Sequence, residues 1–195
     1  MKLKICGLMS LHDVSCVNAA GVDYGGFVFT PHRQQISTTI ARELKSALNP
    51  AIKAVGVFIN EPFDFVRSIV SAGLVDLVQF HGDTEYPLPC PTIKAFRMKS
   101  AADIRPTNCD YVLFDAFSSS GGSMGKTFDW GLIEKYRENP TKPFFLAGGI
   151  NASNIKAAVA LNPYCIDISS GAEENGRKSL EKIKEIYDYV QGRII

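Results

Sequence analysis

A thiol, an imidazole and a carboxyl each stand just where a short β-forming run gives way to strand-ending residues. Cys6 closes Lys2-Leu3-Lys4-Ile5-Cys6 and is followed by Gly7. His81 follows Gln79-Phe80 and precedes Gly82. Asp115 follows Tyr111-Val112-Leu113-Phe114. A thiol and a carboxyl on separate strand ends are what a reaction needs if one proton is taken and another given on different sides of a ligand. Each also has a plain structural reading. Counting by two, Lys2, Lys4 and Cys6 share one face of the first run and Leu3 and Ile5 the other. Either Lys4 carries its charge out along apolar neighbours while Cys6 packs as a small apolar side chain, or Cys6 is a thiolate base at a pocket mouth. Gln79 and His81 share a face with Leu77, as satisfied polar groups or as pocket lining. Asp115 is either a loop-capping acid or a general acid.

Two small turns add a different chemistry. Ala147-Gly148-Gly149 and Ser169-Ser170-Gly171 end the last two β-forming runs. Without large side chains, their N–H groups can approach an anion closely, and phosphate sites are frequently built this way. Ordinary tight turns have the same composition. The stretch Ser118-Ser119-Ser120-Gly121-Gly122-Ser123-Met124-Gly125-Lys126 is either a solvated linker or a loop that covers a substrate. Alone, it is a weak signal.

Something must hold these strand ends together. Eight β-rich runs lie at 2–6, 24–29, 53–59, 75–80, 92–97, 110–114, 143–147 and 164–169. Their starts are roughly 20–30 residues apart, enough for a strand and a crossover helix. Helical signals fill most gaps. Ser10 with Asp13 makes a capping box before Val14, Val17 and Ala20. Pro62 starts a stripe of Phe65, Val66, Ile69 and Val70. Asn151 or Ser153 caps a run through Ile155, Ala158, Val159 and Leu161. From about Ser179, Leu180, Ile183, Ile186, Tyr187 and Val190 repeat with helical period. Pro87, Pro89 and Pro91 argue against a long helix at 83–90, and 99–106 is also weak. The pattern fits an open doubly wound sheet or a closed barrel, and both carry ligands at the C-terminal strand ends. The single glycine of Cys6-Gly7-Leu8-Met9 does not make a dinucleotide fingerprint.

Composition narrows the field. At 195 residues a single domain spanning 1–195 is expected. The 21 basic and 20 acidic residues balance to a net charge of +1, which does not suggest nucleic acid. No window approaches about 18 consecutive apolar residues, and no apolar stretch of secretory length follows Met1-Lys2, so neither membrane insertion nor export is expected. Five cysteines without a CxxC spacing favour reduced thiols in the cytoplasm over a disulfide framework or a zinc site.

Taken in order, Lys4-Ile5-Cys6-Gly7-Leu8, Gly26-Phe27-Val28-Phe29, Gly56-Val57-Phe58-Ile59-Asn60, Gln79-Phe80-His81-Gly82, Phe114-Asp115 with Thr127-Phe128-Asp129-Trp130, Leu146-Ala147-Gly148-Gly149-Ile150-Asn151 and Asp167-Ile168-Ser169-Ser170-Gly171 resemble the phosphoribosylanthranilate isomerase family. Seven motifs in order and spacing, from residue 2 to about 180, make the likeness specific. The resemblance implies a single α/β domain, a (β/α)8 TIM barrel with little decoration. It implies an Amadori rearrangement of N-(5-phosphoribosyl)anthranilate in tryptophan biosynthesis, with a small phosphosugar substrate, no cofactor and no metal, in a monomer or homodimer. Carried onto matching positions, Cys6 resembles the general base and Asp115 the general acid. Gly148, Gly149, Ser169, Ser170 and Gly171 resemble the phosphate cradle. Gln79, His81 and Asp167 match positions at or under the substrate. Arg33 corresponds to the partner of the anthranilate carboxylate.

Three positions depart from the family pattern. Arg33 lies four residues before Ser37 rather than three, and Gln34 takes its slot. The loop Gly121-Gly122-Ser123-Met124-Gly125-Lys126 is one residue longer, and Ser179 stands where aspartate is common. The competing readings are another phosphate-binding barrel, such as the histidine-pathway sugar isomerase, which runs the same chemistry but carries aspartate on its first strand, and a non-catalytic phosphosugar-binding barrel. If the barrel closes, strands 1 and 8 become neighbours, and an ion pair between Lys4 and Asp167, or a hydrogen-bonded network joining them, is expected.

Overall fold

The computed structural model describes residues 1–116 and 127–193. Eight parallel strands close into a barrel in chain order. They are β1 (Lys2–Cys6), β2 (Tyr24–Val28), β3 (Lys53–Phe58), β4 (Leu77–Phe80), β5 (Thr92–Met98), β6 (Tyr111–Ala116), β7 (Phe144–Leu146) and β8 (Cys165–Ile168). Closure is made by β1 against β8, with Lys4 opposite Asp167. All eight fall within two residues of the runs read from sequence, and the closed ring settles the choice between open sheet and barrel.

Among the described residues six α-helices clad the ring: α1 (Leu11–Ala20), α2 (Thr38–Ala47), α3 (Phe63–Ser71), α4 (Glu134–Glu138), α5 (Ile155–Ala160) and α6 (Leu180–Val190). Local chemistry sets their ends. Ser10 and Asp13 form the expected capping box, and Gly21 ends α1 in the left-handed region at φ 71°. Ser37 and Ser179 cap α2 and α6 through their hydroxyls. Pro62 is the residue before α3 rather than its first helical one. Neither Asn151 nor Ser153 caps α5. The chain makes a further turn over 152–154, and Asn151 instead binds Ser153 N–H through Oδ1 at 2.9 Å and Gly149 O through Nδ2 at 3.1 Å.

Two connections lack an α-helix among the described residues: 81–91 after β4, where the prolines fall, and 99–110 after β5, which holds one short 3-10 turn. After β8 a 3-10 turn, Ser170–Ala172, leads into a small hairpin of β9 (Glu173–Glu174) and β10 (Arg177–Lys178) that the sequence pattern did not reveal.

Strand alternation sorts the core into two shells. Leu3, Ile5, Phe27, Phe80, Phe114 and Ile166 face outward and pack with Val14, Val17, Ile183 and Ile186 of the helices. Tyr24, Val55, Leu77, Ile93, Ala95, Leu113, Phe145 and Cys165 fill the barrel. Burying each large apolar side chain contributes roughly 1.5–3 kcal/mol. The inner face ends, at the C-terminal rim, in polar side chains.

Candidate active site

Along each strand the apolar inner face gives way to a functional group on the same face. On β1 the sequence Lys4, Cys6 runs up to the mouth, and on β8 Cys165 is followed by Asp167 and Ser169. On β6, Tyr111 and Leu113 lead to Asp115. On β4, Leu77 and Gln79 lead to His81. In the closed ring β7 and β8 lie between β6 and β1. The glycine turns that end them are therefore flanked by Asp115 on one side and Cys6 on the other.

Lys4 is fully buried, and its Nζ lies 2.7 Å from Asp167 Oδ2, as the register led us to expect. Burial alone would lower the Lys4 pKa; Asp167 and the neighbouring Cys6 raise it instead. The second oxygen, Asp167 Oδ1, is buried and has no hydrogen-bond partner among the described residues. Buried carboxylate oxygens are rarely left so, which marks this one as open to a ligand.

Cys6 sits one step above Lys4. Burial raises its thiol, and Asp167 adds to that; Lys4 and Lys178 oppose it. Its space is made by Gly26 on β2, where a Cβ would lie 2.7 Å from Sγ. Opposite, the Asp115 carboxyl is pushed up to about 6, first by burial and then by Asp167, against the Ala116 N–H, Arg97 and Lys4. A carboxyl poised there holds a proton far more readily than a solvated one.

Gln79 is buried, shares a hydrogen bond between Nε2 and His81 Nε2, and leaves Oε1 unpaired among the described residues. His81 is pushed down to about 3 by burial, with Arg97 and Lys4 among the repelling charges, so it is neutral at working pH.

The turns after β7 and β8 are tightly built. Gly148 and Gly149 hold φ of 88° and 68°, a region that suits glycine. A Cβ on Gly148 would meet Ala116 N at 2.4 Å and Asp115 Oδ1 at 3.0 Å. Ser169 Oγ binds Gln34 Oε1 at 3.1 Å, and Ser170 and Gly171 begin the 3-10 turn. The helical segments near these turns are shorter than the sequence suggested: α5 spans Ile155–Ala160, and only a 3-10 turn, Ser170–Ala172, follows β8.

Arg33 is about half exposed and grips Glu173, with Nη2 at 3.0 and 3.3 Å from its two carboxylate oxygens. Gln34 fills the slot beside Cys6-Gly7: it is buried, packs on Gly7 and donates to Glu173 Oε1 at 2.6 Å. Buried Lys178 completes the group, 2.9 Å from Glu173 and 3.1 Å from Ser169 O. Burial would raise Glu173, but Lys178 and Arg33 hold it below the usual range.

Lys178 and Glu173 were not singled out from sequence, and neither was Arg97, an inward-facing cation on β5; Gln34 was noted only as the residue in the arginine's slot. The stretch containing Lys126 lies outside the described residues. Among the described residues no three His, Cys, Asp or Glu side chains converge to hold a metal ion, and no helix is long and apolar enough to cross a membrane.

A closed parallel barrel with a thiol, carboxyls and an imidazole gathered at its C-terminal rim belongs to the class of (β/α)8-barrel enzymes. Comparison with known proteins gives the family. The family model described as N-(5'phosphoribosyl)anthranilate (PRA) isomerase matches residues 3–189. An N-(5'-phosphoribosyl)anthranilate isomerase of Endomicrobium trichonymphae is 44% identical over 194 residues, covering 94% of this chain and 95% of that one. A crystal structure of phosphoribosyl anthranilate isomerase in complex with reduced 1-(o-carboxyphenylamino)-1-deoxyribulose 5-phosphate superposes with a TM-score of 0.84 at 30% identity, covering 98% of this chain and 99% of the other. A structure of monomers generated from the dimeric enzyme of Thermotoga maritima gives a TM-score of 0.85 at 32% identity, with the same coverage. The chain belongs to the N-(5'-phosphoribosyl)anthranilate isomerase family.

Proposed function

We propose that this chain converts N-(5-phosphoribosyl)anthranilate to 1-(2-carboxyphenylamino)-1-deoxyribulose 5-phosphate in tryptophan biosynthesis, with Cys6 and Asp115 as the acid–base pair. The observation that carries the reading is their placement on β1 and β6, on either side of the glycine turns of β7 and β8. A phosphate held by Gly148, Gly149, Ser169, Ser170 and Gly171 puts the sugar between the two groups.

Asp115, protonated, gives its proton to the furanose ring oxygen. The C1′–O bond breaks as the anthranilate nitrogen lone pair forms an iminium. Cys6 thiolate then takes the C2′ proton, and the C–H electron pair neutralises the iminium to leave an enolamine. Return to the keto form moves a proton to C1′, so the oxidation at C2′ and reduction at C1′ balance within the substrate and no cofactor is called for. Lys4 stands beside Cys6 as the cation that favours its thiolate. Asp167 Oδ1 and Gln79 Oε1, the unpaired buried acceptors, are placed to receive sugar hydroxyl protons. His81, neutral, offers a donor or acceptor without adding charge.

The substrate class is a small phosphosugar. Five cysteines, all free, support a reducing, cytoplasmic setting. Sedimentation distinguishes monomer from homodimer.

The test is the loss of anthranilate-ribose phosphate fluorescence. Wild-type protein should turn it over, and Cys6→Ala and Asp115→Asn should each lose about 10²–10⁴-fold in kcat. Near-normal turnover by either variant would remove that residue from its role.

A further inference from the structure

The substrate proposed above carries a second anion, the aryl carboxylate, at the end away from its phosphate. The residue expected to meet it, Arg33, is already engaged by both oxygens of Glu173, and the neighbouring slot holds the neutral Gln34.

Another guanidinium is better placed. On β5, Ile93 and Ala95 belong to the barrel interior, and two residues further Arg97 continues the same face at the rim. It is only partly exposed, stands opposite Asp115 in the β5–β6 register, and lies close enough to Asp115 and His81 to act on both electrostatically. Asp115 does not pair with it. Among the described residues Arg97 has no hydrogen-bond or ion-pair partner, so its guanidinium donors are unused.

Ring geometry supplies the rest. With phosphate between β7 and β8, the far rim is that of β3 and β4, flanked by β2 on one side and β5 on the other. The β2 side presents Gln34 and the engaged Arg33; the β5 side presents an unpaired cation. Carboxylate and guanidinium are both planar and suit a bidentate contact. We infer that Arg97 receives the anthranilate carboxylate and sets the preference for a carboxylated aryl group. The inference rests on the proposed function and deepens it.

The experiment compares two ligands on the full-length protein by calorimetry: 1-(2-carboxyphenylamino)-1-deoxyribulose 5-phosphate and the same compound without its carboxyl. Arg97→Ala should weaken the carboxylated ligand about 10–100-fold, as for loss of a charge-assisted contact, and leave the decarboxylated one unchanged. Arg97→Lys should recover part of the loss. In turnover, KM should rise more than kcat falls. A purely structural role, or one exerted only on Asp115, would weaken both ligands alike or neither, and either result overturns the assignment. Selective loss in Arg33→Ala but not in Arg97→Ala also overturns it, while leaving the proposed function standing. Failure of the wild type to bind either compound sinks both readings.

Discussion

Lys4 Nζ and Asp167 Oδ2 sit 2.7 Å apart inside the barrel, on strands 163 residues apart in sequence, with the lysine wholly shielded from solvent. The pair closes the ring at β1–β8 and lies under the site, so it links the barrel's stability to its chemistry. Two charges taken out of water are tolerated only together. Asp167→Ala should therefore cost about 3–5 kcal/mol by stranding the ammonium. The double variant Lys4→Met with Asp167→Leu should recover much of that in urea unfolding, although it removes the cation beside Cys6. Additive losses, with the double variant costing as much as Asp167→Leu and Lys4→Met together, would mean that the two charges are not coupled.

The titration order of the proposed acid and base has a kinetic consequence. The acid, Asp115, titrates at about 6, and the base, Cys6, is raised above its ordinary 9.0. The productive form, thiolate with protonated carboxyl, is then a minor species held at constant fraction between those values. kcat/KM should be flat from about pH 6 to above 9 and fall on both sides. The acidic limb belongs to Asp115 and the alkaline limb to Cys6, the reverse of the simple assignment. Thiolate absorbance, as the difference between wild type and Cys6→Ala, should appear only above pH 9. A thiolate signal fully developed at pH 7 contradicts this.

The same carboxyl should strain the fold. With Asp115 raised from 3.8 to about 6 by the folded environment, the unfolded chain ionises more readily. Stability is therefore lost as pH rises from the unfolded value through the folded one, and the cost is complete above about pH 6. Asp115→Asn has no charge to bury. It should melt higher than wild type at pH 8, by about 2–4 °C for each kcal/mol relieved, and this advantage should fade on going to pH 4. An advantage independent of pH would point to packing.

Phosphate binding should fail through shape. Gly149 is buried with φ of 68°, so Gly149→Val adds a β-branched side chain in the proposed phosphate turn. Inorganic phosphate should protect wild type against thermal unfolding and not protect the variant. Ser170→Ala, on the exposed edge of the turn, should keep most of the protection. Equal protection of the valine variant would place the anion elsewhere.

Cys6, Asp115 and the glycine turns were legible because each ends a run whose period is two. Once the strands are placed, a chemical group on the inner face at the last position must reach the mouth. Lys4 with Asp167 followed from the same count plus closure. Arg97 obeys it too: Ile93, Ala95 and Arg97 alternate on one face, and only the lack of a motif around it hid the signal. Glu173 and Lys178 could not be read in this way. Their strands are two residues long, too short for any periodicity, and their meeting with Arg33 and Gln34 is wholly tertiary. The caps of α1, α2 and α6 are local and were readable. The start of α5 was not, because Asn151 serves the neighbouring turn instead of the helix.

The gap in the helical cladding behind β4 and β5 has a dynamic counterpart. There no α-helix covers the outer face of β5 among the described residues: Phe96 and Met98 at its end join the outer apolar cluster, while its start is held by polar contacts, Thr92 N–H to Asp110 at 2.8 Å, and Lys94 Nζ to Gly82 O at 2.8 Å and Glu85 at 3.4 Å. Local opening favours regions with few apolar contacts, so amide exchange should be fastest on this arc of the ring and slowest at β1 and β8, behind α1 and α6. The rim above the arc carries His81 and Arg97, whereas Cys6 and the proposed phosphate turns lie on the side covered by α1 and α6. On the proposed function, the aryl end would then face the loop-covered arc of the ring and the phosphate end its helix-covered side.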